Sequence, residues 1–236
     1  MARSSKYYIR KTHRYLGLVL GIQFLAWTLG GLYFSWSNLD EIHGDHFLAN
    51  PTPLGIKGQE LIKVPDSLGE IRSLELRFLL GKAYYWVNDS LLVHAKSGMP
   101  RDGISQTEAV QIAQAHLTGP LQIEKVELLN VVGPHHEVRG RPLPLWAIHF
   151  EHPERLSAYV SVRDGSFQRV RHARWRLFDW FWMLHTMDYQ GRDDFNNWLL
   201  RAFSLFGLIT ITSGFVLYGV SSLRLKRWLR GIRKPQ

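Results

Sequence analysis

From Leu16 to Trp36 the chain reads LGLVLGIQFLAWTLGGLYFSW, 21 residues without a charged side chain. A helix needs roughly 20 apolar residues to cross the hydrocarbon core of a bilayer, so this stretch is long enough to span one. It is too long for the apolar core of a signal peptide, and it ends in Trp-bearing sequence rather than a small-residue cleavage site, which predicts a retained anchor. A second run, Ala202–Leu223 (AFSLFGLITITSGFVLYGVSSL), adds 22 uncharged residues near the other end of the chain. The alternative, two core helices of a soluble protein, is opposed by the basic clusters at both outer ends of these runs.

Charge gives the chain a direction. Arg3, Lys6, Arg10, Lys11 and Arg14 precede the first run, and Arg224, Lys226, Arg227, Arg230, Arg233 and Lys234 follow the second. The two ends hold 11 of the 29 basic residues and none of the 20 acidic ones. The positive-inside rule then predicts both termini in the cytoplasm and residues 37–197 on the far side, where 17 basic and 20 acidic residues leave a mildly acidic segment. The net charge of +9 is thus a topology signal and not a nucleic-acid surface. Trp36, Trp198 and Trp228 sit where indole rings favour the headgroup level of a lipid bilayer. With no cysteine in 236 residues, disulfides, iron–sulfur clusters, thiol nucleophiles and covalent haem attachment through Cys-x-x-Cys-His are all excluded.

Between the runs the pattern is that of an α+β domain with an antiparallel sheet. A loop rich in His, Asp and Pro is expected over residues 40–53. Alternating stretches at Ile71–Leu80, Ala83–Val87, Leu91–Ala95, Ile123–Val131, Leu145–Phe150 and Ala158–Val162 predict strands. Ser105 with Glu108 forms a capping box ahead of Ala109, Ile112, Ala113 and His116, predicting a helix that Thr118-Gly119-Pro120 ends. The two halves also resemble one another. Leu74-Glu75-Leu76 aligns with Val126-Glu127-Leu128, Tyr85-Trp86-Val87 with Leu145-Trp146-Ala147, and Leu92-Val93-His94 with Tyr159-Val160-Ser161. Either strand composition alone produces this likeness, or two β-rich units pack together. After Ala173, Phe178, Phe181, Trp182, His185 and Tyr189 share one helical face, suited to a membrane interface or to a base for the domain. The expected division is a basic tail (1–15), a span (16–36), the α+β domain (37–173), an aromatic helix and loop (174–197), a second span (198–223) and a basic tail (224–236).

Three stretches carry a family resemblance. ISQTEAVQIAQAHL and AYVSVRDGSFQRV, within Ile104–Val170, resemble a PepSY domain. The first run, with His13, Arg14 and Gly17 ahead of a Thr28–Gly31 break, resembles the PepSY-associated transmembrane helix. WFWMLHTMDYQG and the helix after it resemble that family's later Leu-His segment. The resemblance implies a bacterial inner-membrane protein with its PepSY-like part in the periplasm. Larger members, with four or more spans, are linked to iron uptake, and some resemble haem-b-containing reductases of ferric siderophores. With two spans, this chain needs association between subunits to complete such an electron path.

Histidines are the candidate ligands. His13 begins a face that continues through Gly17 and Gly21, a small-residue ridge for another helix or a flat macrocycle. His185 lies on the aromatic face. Each is a candidate axial ligand of haem b, or else a polar side chain at the headgroup level. The two fall at opposite faces of a core roughly 30 Å thick and cannot share one iron. A homodimer through Gly17, Gly21, Gly207 and Gly214 would pair each with its mate. His43 and His46, among Asp40, Glu41 and Asp45, suggest a metal site or a plain polar loop. His135-His136 lies in a Gly-Pro loop, and His149 and His152 are expected to face solvent at a hairpin end. The sequence contains no Gly-rich phosphate loop, Gly-x-Ser-x-Gly elbow or His-Glu-x-x-His helix. Electron transfer from the cytoplasmic side to a periplasmic acceptor is one reading, with ferric iron or a ferric siderophore as the acceptor the resemblance implies. The other is a haem-free binding or regulatory module, or an accessory subunit, serving a protease or an iron-transport partner.

Overall fold

The computed structural model describes residues 5–49, 61–64 and 68–222; Arg3 and the basic residues from Arg224 onward lie outside them. The chain divides into two compact units, Ser37–Phe178, and Met1–Trp36 with Asp179–Gln236. The division falls inside a helix, a few residues later than the expected boundary at 173.

The unit Ser37–Phe178 is the α+β domain. Its first sheet is an antiparallel meander of β1 (Leu74–Leu79), β2 (Lys82–Val87), β3 (Leu91–His94) and β4 (Pro100–Arg101). The second repeats that order with β5 (Ile123–Leu129), β6 (Leu145–Phe150), β7 (Ser157–Ser161) and β8 (Phe167–Arg171). Helix α3 (Gln106–His116) lies between them in sequence and buries Ala109, Ile112 and Ala113. One core joins all three, with Tyr84, Trp86 and Leu92 from the first sheet against Ile148, Phe150, Ala158 and Val160 from the second. Burial of such side chains, at roughly 25 cal/mol per Å² of apolar surface, is the main force holding the unit together.

The duplication is therefore structural, with one adjustment. Trp86 and Trp146 both turn toward the shared core. Trp86 is paired with Glu75 and Leu92, however, and Trp146 with Leu128 and Val160. Aligning the tryptophans thus displaces the two flanking matches by one residue, which in a strand is a change of face.

Two further differences have local causes. Where a loop is expected over 40–53, the described residues form helix α2 (Leu39–His43) and a 3-10 turn (Asp45–Phe47), and residues 50–53 lie outside the described ones. Asn38 caps α2, and Gly44 ends it at φ 88°, where an added Cβ would lie 2.7 Å from Val170 Cγ1. Strand β8 is absent from the sequence pattern because a bulge interrupts its pairing: Phe167 opposes Val160, while Arg169 opposes Tyr159. The extra residue lets Phe167 and Val170, three apart, both reach the core.

The other unit is helical. Helix α1 (Ser5–Trp36) runs 32 residues without interruption, so the described part of the basic tail continues the same helix and no break occurs at Thr28–Gly31. Thr28 Oγ1 instead donates back to the Phe24 carbonyl at 2.8 Å. Helix α5 (Trp198–Ser221) starts at the cap Asn197, whose side chain accepts from the Leu200 N–H. Helix α4 (Ala173–Thr186) contributes its last two turns. It stops before Met187, which takes φ 54°, so Tyr189 leaves the helical face assigned to it. The segments Arg10–Trp36 and Trp198–Gly219 are long and apolar enough to cross a membrane, with mean hydropathy 1.6 and 1.7 and only 11% of the most apolar 18 residues of each buried. A soluble core helix would be mostly buried. These two present apolar side chains outward, as a bilayer requires.

Candidate functional site

His13 meets α5. Its Nδ1 lies 2.8 Å from Ser213 Oγ, and the Cε1 edge of its ring rests beside Gly214, where a Cβ would stand 3.4 Å away. Ser213 donates its one hydroxyl proton to the Thr210 carbonyl at 2.7 Å. The serine oxygen therefore accepts from His13, so Nδ1 carries the hydrogen, and in the neutral ring the lone pair lies on Nε2. A metal-ligating histidine is held in the same way, by a hydrogen bond from its other nitrogen. Further along, Gly207 faces Phe24, with a Cβ position 3.1 Å from Cζ. The two contacts make α1 and α5 antiparallel.

Two glycines of the small-residue face meet α1 within the chain. Gly207 and Gly214 are occupied within the chain, because a glycine is what lets Phe24 and His13 approach α5 closely. Gly17 and Gly21 have nothing within 4 Å of a Cβ position and stay open.

His185 sits in an aromatic setting built by α1 and the end of α4. Its ring centre is 6.0 Å from both Trp27 and Phe34, and Trp182 lies 6.5 Å away at an interplanar angle of 15°. Phe181 packs over Gly30 and Tyr33, and Trp182 also meets Phe34 and Phe195. Gln23 Nε2 and Trp27 Nε1 both donate to the Leu184 carbonyl, at 2.8 and 3.2 Å, satisfying a group the helix end leaves open. His185 itself is exposed and makes no hydrogen bond among the described residues. Its neighbours Trp27 and Phe34 are about 21 and 31 Å along α1 from His13 at 1.5 Å per residue, so the two imidazoles belong to separate sites.

His43 and His46 lie at the end of α2 and in the 3-10 turn after it. Among the described residues no group of three or more His, Asp or Glu side chains is placed to hold a metal ion. His46 packs on Phe47 at 4.0 Å and edge-on to His172 at 5.6 Å. His43 lines a separate cavity of about 320 Å³ with Asp45 and Arg169.

The α+β unit carries polar groups that the sequence did not single out. His172 is fully buried, with Nδ1 2.9 Å from Glu154 Oε2 and Nε2 3.1 Å from the Ile42 carbonyl. Nothing local announces it, since these partners lie 18 and 130 residues away. His149 is half-buried: Nδ1 is 2.9 Å from Ser157 Oγ, opposite it on β7, and Nε2 is 3.6 Å from Glu127. His152 is half-buried as well, its ring 5.4 Å from Phe47. Arg176 donates to Ser157 at 3.1 Å and to both oxygens of Glu137, which also meets the Tyr159 hydroxyl. Burial pushes the Glu137 carboxyl up most strongly, but the bonds from Arg176 and Tyr159 outweigh it and hold the group below its ordinary value. Burial, followed by the field of Arg169, pushes the Arg171 guanidinium down to about 9. Ser157 is only 2% exposed and accepts from Arg176, so Ser157 and His149 form a structural link rather than an attacking pair. Beside them lies a cavity of about 490 Å³ that Lys125, Arg155 and Glu124 also line.

Two outward-facing apolar helices joined to an α+β domain of paired antiparallel sheets define a two-pass membrane protein. The chain belongs to the PepSY-associated TM region family, whose model matches residues 2–221. No curated protein and no solved structure matches it.

Proposed function

We propose that this protein binds b-type haem through His13 and His185 and passes electrons from the cytoplasmic side of a bacterial inner membrane to a periplasmic acceptor, serving ferric-iron or ferric-siderophore reduction. The observation carrying the reading is the relay from His13 Nδ1 through Ser213 to the Thr210 carbonyl, which leaves Nε2 as a fixed lone-pair donor. Gly17 and Gly21, open one and two turns further along α1, leave room for a flat ring. At the second site His185 has both nitrogens free of hydrogen bonds among the described residues, between the rings of Trp27, Phe34 and Trp182. An apolar wall and an available imidazole are what a non-covalently held haem needs. Bound there, haem supplies one-electron chemistry, while the protein contributes ligation, orientation and burial. The basic residues flanking the two spans support both termini in the cytoplasm and residues 37–197 in the periplasm.

Each site offers one imidazole, so a second copy of the chain would complete the ligand pair, with the open Gly17–Gly21 ridge of α1 as the contact. The deciding experiment is an absorption spectrum of detergent-purified protein from haem-replete cells. A Soret band is expected, reduced in His13→Ala and in His185→Ala. Colourless wild-type protein overturns the reading, and a pure monomer with full low-spin haem overturns the dimer.

The second reading is a haem-free binding module or an accessory subunit of an iron-transport or protease complex. The charged cavity of about 490 Å³ on the α+β unit favours it. Co-purification of a transporter or protease with colourless protein would support this alternative.

A further inference from the structure

A groove of about 500 Å³ runs along α1 and α5 and takes no part in either histidine site. One end is polar, formed by Lys11, Thr12 and Tyr15. The remainder is apolar, lined by Leu16, Val19, Phe203, Phe206 and Leu20, the last only 2% exposed. Lys11 to Leu20 covers about 13 Å of helix at 1.5 Å per residue. The guanidinium of Arg14 adds a further cation, 5.3 Å over the Tyr15 ring.

Charge identifies the occupant. No acidic residue occurs before Asp40 or after Asp194, so every charged side chain on these two helices is positive. Lys11 makes no ion pair among the described residues. An anion at the polar end meets a lysine and two hydroxyls with no opposing carboxylate. A free inorganic anion would leave the apolar stretch unfilled, in a groove that lies on membrane-spanning helices. We propose that the groove binds a phospholipid with a net-negative headgroup. Its phosphate lies at Lys11, Thr12 and Tyr15, and an acyl chain runs between Val19 and Phe206. The bound lipid bridges α1 and α5 beside the His13–Ser213 contact.

Native mass spectrometry of the full chain, released from nanodiscs of equal phosphatidylglycerol and phosphatidylcholine, tests this. Wild-type protein should retain phosphatidylglycerol preferentially. Lys11→Gln should reduce that retention about fivefold, the factor expected of one lysine at a headgroup. Val19→Trp, which fills the apolar stretch, should reduce retention of both lipids. Arg227→Gln, a basic residue of the tail that follows α5 in the sequence, should leave retention unchanged, and circular dichroism checks that each variant is folded. Equal retention of the two lipids overturns the proposal, as does a Lys11→Gln effect matched by Arg227→Gln. Lipid-free protein that dissociates to monomers on Val19→Trp would also overturn it, assigning the groove to a second copy. None of these outcomes depends on haem.

Discussion

Replacing Ser213 with alanine removes the acceptor for the His13 Nδ1 hydrogen while leaving Gly214 and the helix contact in place. In haem-free protein with 15N-labelled histidine, the wild-type His13 ring should report the Nδ1–H tautomer. Ser213→Ala should shift it toward Nε2–H, the form a free imidazole prefers, and Ser213→Thr should restore it. A wild-type ring already in the Nε2–H form would remove the argument that His13 is prepared as a ligand. His13 itself was legible in the sequence. Ser213 was not, because it lies 200 residues away and nothing in a serine on an apolar helix names its partner. A second residue-scale test concerns Gly103, at φ 73° with a Cβ position 2.3 Å from the Val162 carbonyl oxygen. Gly103→Ala should destabilise the α+β unit by about 1–3 kcal/mol in a urea titration, through backbone strain and a clash that no side-chain rotation relieves.

Helix α3 was the element most fully legible, because its start is encoded locally. Ser105 and Glu108 make the reciprocal capping bonds, and Arg101 adds two charge-assisted bonds to the same carboxylate at 2.7 and 2.9 Å. The hydrogen bonds from Arg101 are the largest influence on Glu108 and bring its carboxyl down to about 2. A group held below its unfolded value stabilises the fold above that value and loses its contribution as pH falls toward the folded one. The unit should therefore weaken between about pH 4.5 and pH 2, and Glu108→Gln should be less stable at pH 7 with a shallower acid limb. An unchanged limb in thermal melts across that window would contradict this. Ser105→Ala should cost about 1 kcal/mol. Strand β8 stands at the other extreme. FQRVR carries no alternation, since the bulge that brings Phe167 and Val170 to one face depends on pairing with β7.

At the scale of the molecule, the two spans and the doubled α+β unit followed from hydrophobic run length, strand periodicity and turn residues, all of which are local. What stayed hidden was long-range: which glycines of α5 are used inside the chain, and how α1 and α4 jointly surround His185. The orientation of the whole rests on charge, and the absence of cysteine makes it directly testable. Met99, 68% exposed between β3 and β4, reports on the α+β unit, and Ser4 reports on the basic end. With single variants Met99→Cys and Ser4→Cys, a membrane-impermeant maleimide added to cells with a permeabilised outer membrane should label only the first. Lysed cells should allow both to react, so poor labelling of Ser4→Cys in intact cells then reflects sidedness rather than burial. The reverse pattern would place the His13 end outside and the His185 end inside. That would invert the proposed direction of electron flow without altering either site.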